Sequence, residues 1–98
     1  MPALLAAFSV NGGQPLNFLV DTGASISILP SRVCASELIS PTPLQLVSVD
    51  GSPLTIYGEC SVNVSCRELR REYSVSFIVC DVKVPILGID FYPHIISL

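Results

Sequence analysis

Polar and apolar residues alternate most strictly between positions 59 and 79. Cys60, Val62, Val64 and Cys66 fall on one side of the chain, and Glu59, Ser61, Asn63 and Ser65 on the other. A period of two marks a half-buried strand. Tyr73, Val75, Phe77 and Val79 alternate with Ser74, Ser76 and Ile78 on the way back, around a polar tip at 67–72. Earlier, Leu4–Val10 is extended and stops at Asn11-Gly12-Gly13-Gln14-Pro15, which carries strong turn chemistry. Leu16–Val20 returns as its hairpin partner. Ser25–Leu29 leads out as a short strand and ends at Pro30. Ser31–Ser40 has room for one helical turn, and Pro41-Thr42-Pro43 is a stiff connector. Leu44–Val49 then faces Leu54–Tyr57 across Asp50-Gly51-Ser52-Pro53, a strong hairpin signal. Val84–Gly88 is a second apolar run. Asp90 suits the N-cap of a short helix, with Pro93 tolerated in its first turn, and Ile95–Leu98 is extended again. The pattern predicts an all-β fold with one short C-terminal helix, in a single domain over 1–98.

Composition sharpens this picture. A chain of 98 residues buries a modest core. Half of the residues are hydrophobic and 13% are charged, which is apolar for a small monomer and suggests surface covered by a partner. The net charge is −3. The one basic cluster, Arg67-Glu68-Leu69-Arg70-Arg71, is broken and flanked by acids, so it reads as a solvated tip, and no nucleic-acid partner is expected. No apolar run nears the ~18 residues of a membrane span. The opening Met1–Phe8 is too short and lacks the positive start of a signal peptide. No membrane partner is expected. Cys34, Cys60, Cys66 and Cys80 contain no Cys-x-x-Cys pair, and His94 is the only histidine. No metal and no cofactor are therefore expected. An even cysteine count permits two disulfides. Buried, reduced cysteine is the favoured reading, since three of the four sit in apolar strands, and it fits a reducing compartment.

The chemistry concentrates at Phe18-Leu19-Val20-Asp21-Thr22-Gly23-Ala24. An acid at the end of an apolar strand is expected to be partly desolvated, which disfavours its charged form. It is then either a satisfied structural group or a working one. The stretch resembles the active-site signature of aspartic proteases. That family works with two such acids, whose shared proton splits their pKa values. Only one Asp-Thr-Gly is present, and neither Asp50-Gly51-Ser52 nor Gly88-Ile89-Asp90 is a second copy. The order of Asp21-Thr22-Gly23-Ala24, a Gly-containing hairpin at 44–58, and Ile86-Leu87-Gly88 resembles the retropepsins, the dimeric proteases of retroviruses and long-terminal-repeat retrotransposons. Val49-Asp50-Gly51 and Gly88-Ile89-Asp90-Phe91 look most like the Ty3/gypsy branch.

The resemblance implies a small closed-barrel-like subunit completed as a twofold homodimer. Asp21 of each copy would form the dyad, Thr22 would bond across the interface, and Gly23 would let the substrate backbone approach. Ala24 and Ser25 would wall the cleft. The hairpin with Val49, Asp50, Gly51 and Ser52 at its tip would be a flap over the substrate, and Val84 and Ile86 would line pockets. Leu4, Leu5, Ile96 and Leu98 would lie in the shared terminal sheet. Two departures stand out. Retroviral members often pair an acid after the signature alanine with an arginine after the late glycine, where this chain has Ser25 and Ile89. Its flap tip is also poorer in glycine, and Pro53 removes an N–H donor. The implied function is a homodimeric aspartic endopeptidase acting on extended polyprotein segments. Its setting would be the cytoplasm or a virus-like particle, within a Gag-Pol-type polyprotein. The competing readings are a dimerisation or binding module of the same fold without proteolysis, and a ubiquitin-pathway or skin-type cellular relative.

Overall fold

The two long hairpins form and belong to a closed barrel, whereas at 44–58 the expected first arm is not a strand over residues 44–48. The turn there is held by one Val47–Pro53 bridge and the Leu54 N–H bond to Leu46 O. The computed structural model describes residues 4–48, 50–66 and 70–91. Strands β1 (Leu4–Val10) and β2 (Pro15–Val20) pair antiparallel, from Leu4 opposite Val20 to Ser9 opposite Pro15. Strand β3 is Ile28–Pro30, β4 is Ile56–Cys66, β5 is Arg71–Cys80 and β6 is Ile86–Leu87. The order around the barrel is β1-β2-β6-β3-β5-β4. Val10 opposite Val64 closes the ring, so neither long hairpin keeps an open edge at that seam. Strand β6 is wedged between β2, to which it runs parallel, and β3, to which it runs antiparallel. This places the end of the acid-bearing strand directly beside Leu87.

The alternation in β4 does what the pattern requires: Cys60, Val62 and Val64 are buried and Ser61 and Asn63 are exposed. Inside the barrel, Phe8 meets Phe18 and Phe91 edge-on at centroid distances of 5.8 and 5.5 Å, and Phe18 lies 6.1 Å from Phe77. Each such side chain gains roughly 1.5–3 kcal/mol by leaving water. The second half of β5 is buried on both faces. Its outer face, with Ile28, Ile78 and Cys80, is covered by Ile26, Leu44, Leu46, Ile56, Val82 and Ile86. The hairpin at 44–58 thus rests on a second apolar cluster behind β3. Burial in that cluster pushes the Cys80 thiol up from its ordinary pKa.

Residues 39–40 cross β4 at Gly58. Ser40 and Glu59 exchange backbone bonds of 2.8 Å in both directions. A Cβ on Gly58 would sit 2.2 Å from Ser40 O, and its φ is +146°. Only glycine satisfies both conditions.

Four expectations need correction. Cys34 and Cys60 are not reduced thiols: they are joined as a disulfide across 26 residues of sequence. The crossing of 34–40 over β4 brings the two together, which spacing alone does not reveal. The third strand begins at Ile28 rather than Ser25, because the Ser27 N–H is engaged by a side chain. Residues 31–40 hold two 3-10 turns, Ser31–Val33 and Ser36–Leu38. Asp90, expected as a helix N-cap, lies within a 3-10 turn, Ile89–Phe91, and its carboxylate accepts the Ser27 N–H and O–H; the helix expected after it falls outside the described residues. Val49, Pro93, His94, Ile96 and Leu98 lie outside the described residues.

Candidate active site

Asp21 leaves β2 with its N–H on Leu87 O at 2.9 Å, one step beyond the Leu19 N–H bond to Pro85 O. The chain then turns on the acid itself. Gly23 N–H donates to Asp21 Oδ1 at 3.0 Å, and Ala24 N–H to Asp21 O at 3.1 Å. A Cβ on Gly23 would stand 3.2 Å from that carboxylate oxygen. Asp21, Thr22 and Gly23 are all exposed. The expected desolvation of Asp21 is therefore absent from the single chain: the apolar strand ends at the surface, not inside it.

Beyond Ala24 the loop is fastened to the segment after β6. Ile89 N–H donates to Ala24 O at 2.9 Å. Gly88 is pressed so close that a Cβ would lie 2.7 Å from Ile26 O and 2.8 Å from Ala24 O. Ser27, fully buried, receives Gly88 N–H on Oγ at 3.0 Å. It donates its own hydroxyl and N–H to the two oxygens of Asp90, at 2.5 and 3.1 Å.

The loop faces the hairpin across a cleft of about 230 Å³ lined by Gly23, Ala24, Ser25, Ile26, Ile28, Leu46, Val47 and Leu54. At the hairpin neck Leu54 N–H meets Leu46 O at 3.1 Å, and Val47 bridges Pro53. At the tip the hydroxyls of Ser48 and Ser52 and the Ser52 N–H all donate to Asp50 Oδ1. These donors, Ser48 first, hold the Asp50 carboxyl at a pKa of about 2, below its ordinary 3.8. Asp50, Gly51 and Ser52 are exposed and are not in the cleft wall. Ile86 is half-buried behind the wall, against the cluster that includes Ile28. Val84 lines a separate cavity of about 330 Å³ with Leu5, Leu16, Asn17, Arg32, Lys83 and Pro85.

Asp-Thr-Gly-Ala turning out of a barrel strand, braced from below by Leu87-Gly88, is matched by a family model described as "Aspartyl protease" over residues 6–91. The chain belongs to the aspartyl protease family. Solved relatives share its barrel at low sequence identity. EIAV protease, solved with the inhibitor HBY-793, is 23% identical with a TM-score of 0.75, over 96% of this chain and 88% of that one. The retroviral protease-like domain of Ddi1 from Leishmania major is 20% identical with a TM-score of 0.73, over 96% and 78%. A retropepsin-like aspartic protease from Rickettsia conorii is 18% identical with a TM-score of 0.67, over 94% and 71%. No curated protein matches the chain in sequence. The family and its retropepsin fold are thus those expected from the Asp-Thr-Gly-Ala and Ile-Leu-Gly segments.

Sequence reading singled out Asp21 to Ser25, of which Gly23, Ala24 and Ser25 line the cleft, passed over Ser27, and gave Asp90 another task. Leu46, Val47, Leu54, Ile26 and Ile28 were read only as strand residues. No local signal marks Ser27, because Ser25-Ile26-Ser27-Ile28 alternates and by period two reads Ser27 as a solvent-facing position.

Proposed function

We propose that the chain is one subunit of a homodimeric aspartic endopeptidase. The observation that carries this reading is the exposed Asp21 carboxylate, bonded to the N–H of Gly23 in the cleft wall, in a chain with a single Asp-Thr-Gly. A lone exposed acid cannot both hold and give up a proton. Two copies facing across a twofold axis can, because adjacent carboxylates ionise one at a time. The ionised Asp21 takes a proton from a water held between the pair while the protonated one polarises the scissile carbonyl. Leu4 and Leu5 support this arrangement. They are 65% and 53% exposed on β1, and Leu4 stands opposite Val20, the residue before the acid. Apolar surface beside the acid suits a second copy better than water. The hairpin at 44–58 is the flap of this proposal, excluding water over an extended peptide. The Ty3/gypsy affiliation, a polyprotein substrate and a particle-enclosed setting rest on the sequence resemblance, and the cysteine argument for a reducing compartment falls with the Cys34–Cys60 disulfide.

The deciding experiment measures mass by sedimentation and cleavage of a peptide library from acidic to neutral pH. The native chain dimerises and cuts, and pepstatin stops it. Asp21→Asn still dimerises but loses cleavage by on the order of 10³-fold or more. A variant that cuts at the native rate refutes the reading.

A further inference from the structure

The loop that carries Asp21 is fastened to residues 87–90 at three points. Two are backbone bonds that most sequences could make: Asp21 N–H to Leu87 O and Ile89 N–H to Ala24 O. The third depends on side chains. Ser27 is the one buried polar residue among the described residues, and each of its polar functions is engaged. Its carbonyl accepts Ile78 N–H at 3.1 Å, fixing it to β5. Its Oγ accepts Gly88 N–H, and its N–H and O–H both go to the Asp90 carboxylate, 63 residues along the chain. Asp90 itself is exposed and turns one edge inward to take these two donors.

We propose that Asp90 and Ser27 form a clamp that positions the Asp21 loop for catalysis. This rests on the proteolytic reading of Asp21. A dyad works only if its two carboxylates are held to a fraction of an ångström. Asp21 lies at the near end of a seven-residue loop whose far end is Ser27. Without the clamp that far end loses both side-chain bonds, and Gly88 loses the partner that Asp90 orients. The loop can then pivot about the Ala24–Ile89 bond. Asp90 is a positioning residue: it acts on Asp21 through Ser27 and Gly88 and lies outside the cleft lining. A carboxylate suits the position because it accepts twice and donates nothing. An asparagine keeps one acceptor oxygen and turns an N–H₂ toward the other donor.

The test compares the native chain, Asp90→Ala, Asp90→Asn and Ser27→Ala, all above the concentration at which mass shows the dimer and well below the melting temperature. Asp90→Ala is expected to lower kcat at least tenfold with KM within threefold. It should raise amide exchange at Gly88 and Ile89 at least tenfold while the β4–β5 amides stay unchanged. Asp90→Asn recovers part of both. Ser27→Ala matches Asp90→Ala, and combining the two adds no further loss. Unchanged kcat and unchanged Gly88 exchange in Asp90→Ala overturn the clamp. So does a rise in exchange spread evenly over the barrel, which marks general destabilisation. If the native chain cuts nothing, the proteolytic reading falls, and the exchange pattern alone then supports or overturns the clamp.

Discussion

The Asp21 loop and the hairpin at 44–58 face one cleft but are tied down by bonds of different reach. The loop is held from a distance, with Ser27 reaching Asp90 and Gly88 more than sixty residues along the chain. The hairpin tip is held by its own neighbours, with Ser48, Asp50 and Ser52 bonding two to four residues apart. Long-range bonds break only when the barrel opens. Local bonds survive a swing of the whole hairpin about its neck. The same cleft thus has one wall tied into the barrel by long-range bonds and one whose tip is held by local ones. In the proteolytic reading proposed above, this division would keep the acid fixed while a peptide enters.

Removing the remote ties should cost most. The Cys34–Cys60 disulfide closes 26 residues and fastens the crossing segment to β4. On chain-entropy grounds, its loss in a Cys34→Ala, Cys60→Ala double variant costs up to about 3.5 kcal/mol. The melting temperature with and without the pair measures this. Next, Gly88→Ala forces a Cβ against the carbonyls of Ile26 and Ala24. Such overpacking costs about 3 kcal/mol, read as a fall of roughly 12–24 °C in Tm. A Gly88→Ala protein with native Tm would show that the loop is not held as tightly as the distances imply. On the other wall, Ser48→Ala and Ser52→Ala should each shift stability by less than about 0.5 kcal/mol, as for exposed surface changes. Their effect should fall on KM for peptide instead.

The smallest effect is a titration. The folded Asp50 pKa of about 2 lies below its ordinary 3.8. The hydrogen bonds that lower it therefore favour the folded hairpin fully above about pH 4, and this contribution fades as pH falls toward 2. Asp50 followed by NMR should titrate near 2 in the native chain and move toward its ordinary value in Ser48→Ala.

Strands were legible wherever one side of the chain was apolar and the other was not, as in β4 with its alternating Val62 and Asn63. The acid-bearing turn was legible because Asp21-Thr22-Gly23-Ala24 is a local motif. Its exposure was not, because whether a strand ends inside or outside depends on what lies beside it. The Asp90 side chain illustrates the same limit. By propensity it suits a helix start, and that preference yields to a buried serine with two donors to satisfy. Likewise, the cysteine count permitted disulfides, but only the crossing at Gly58 selects Cys34 and Cys60.

By itself the sequence determined the two long hairpins, the aromatic core, the acid-bearing turn and the family. Each is written in periodicity or in residues a few positions apart, where backbone geometry leaves little freedom. The tertiary structure alone decided the barrel order, the disulfide partners, the exposure of Asp21 and the pairing of Ser27 with Asp90. Those depend on segments twenty-six to sixty-three residues apart meeting in space, and no local preference encodes which segment will be the neighbour.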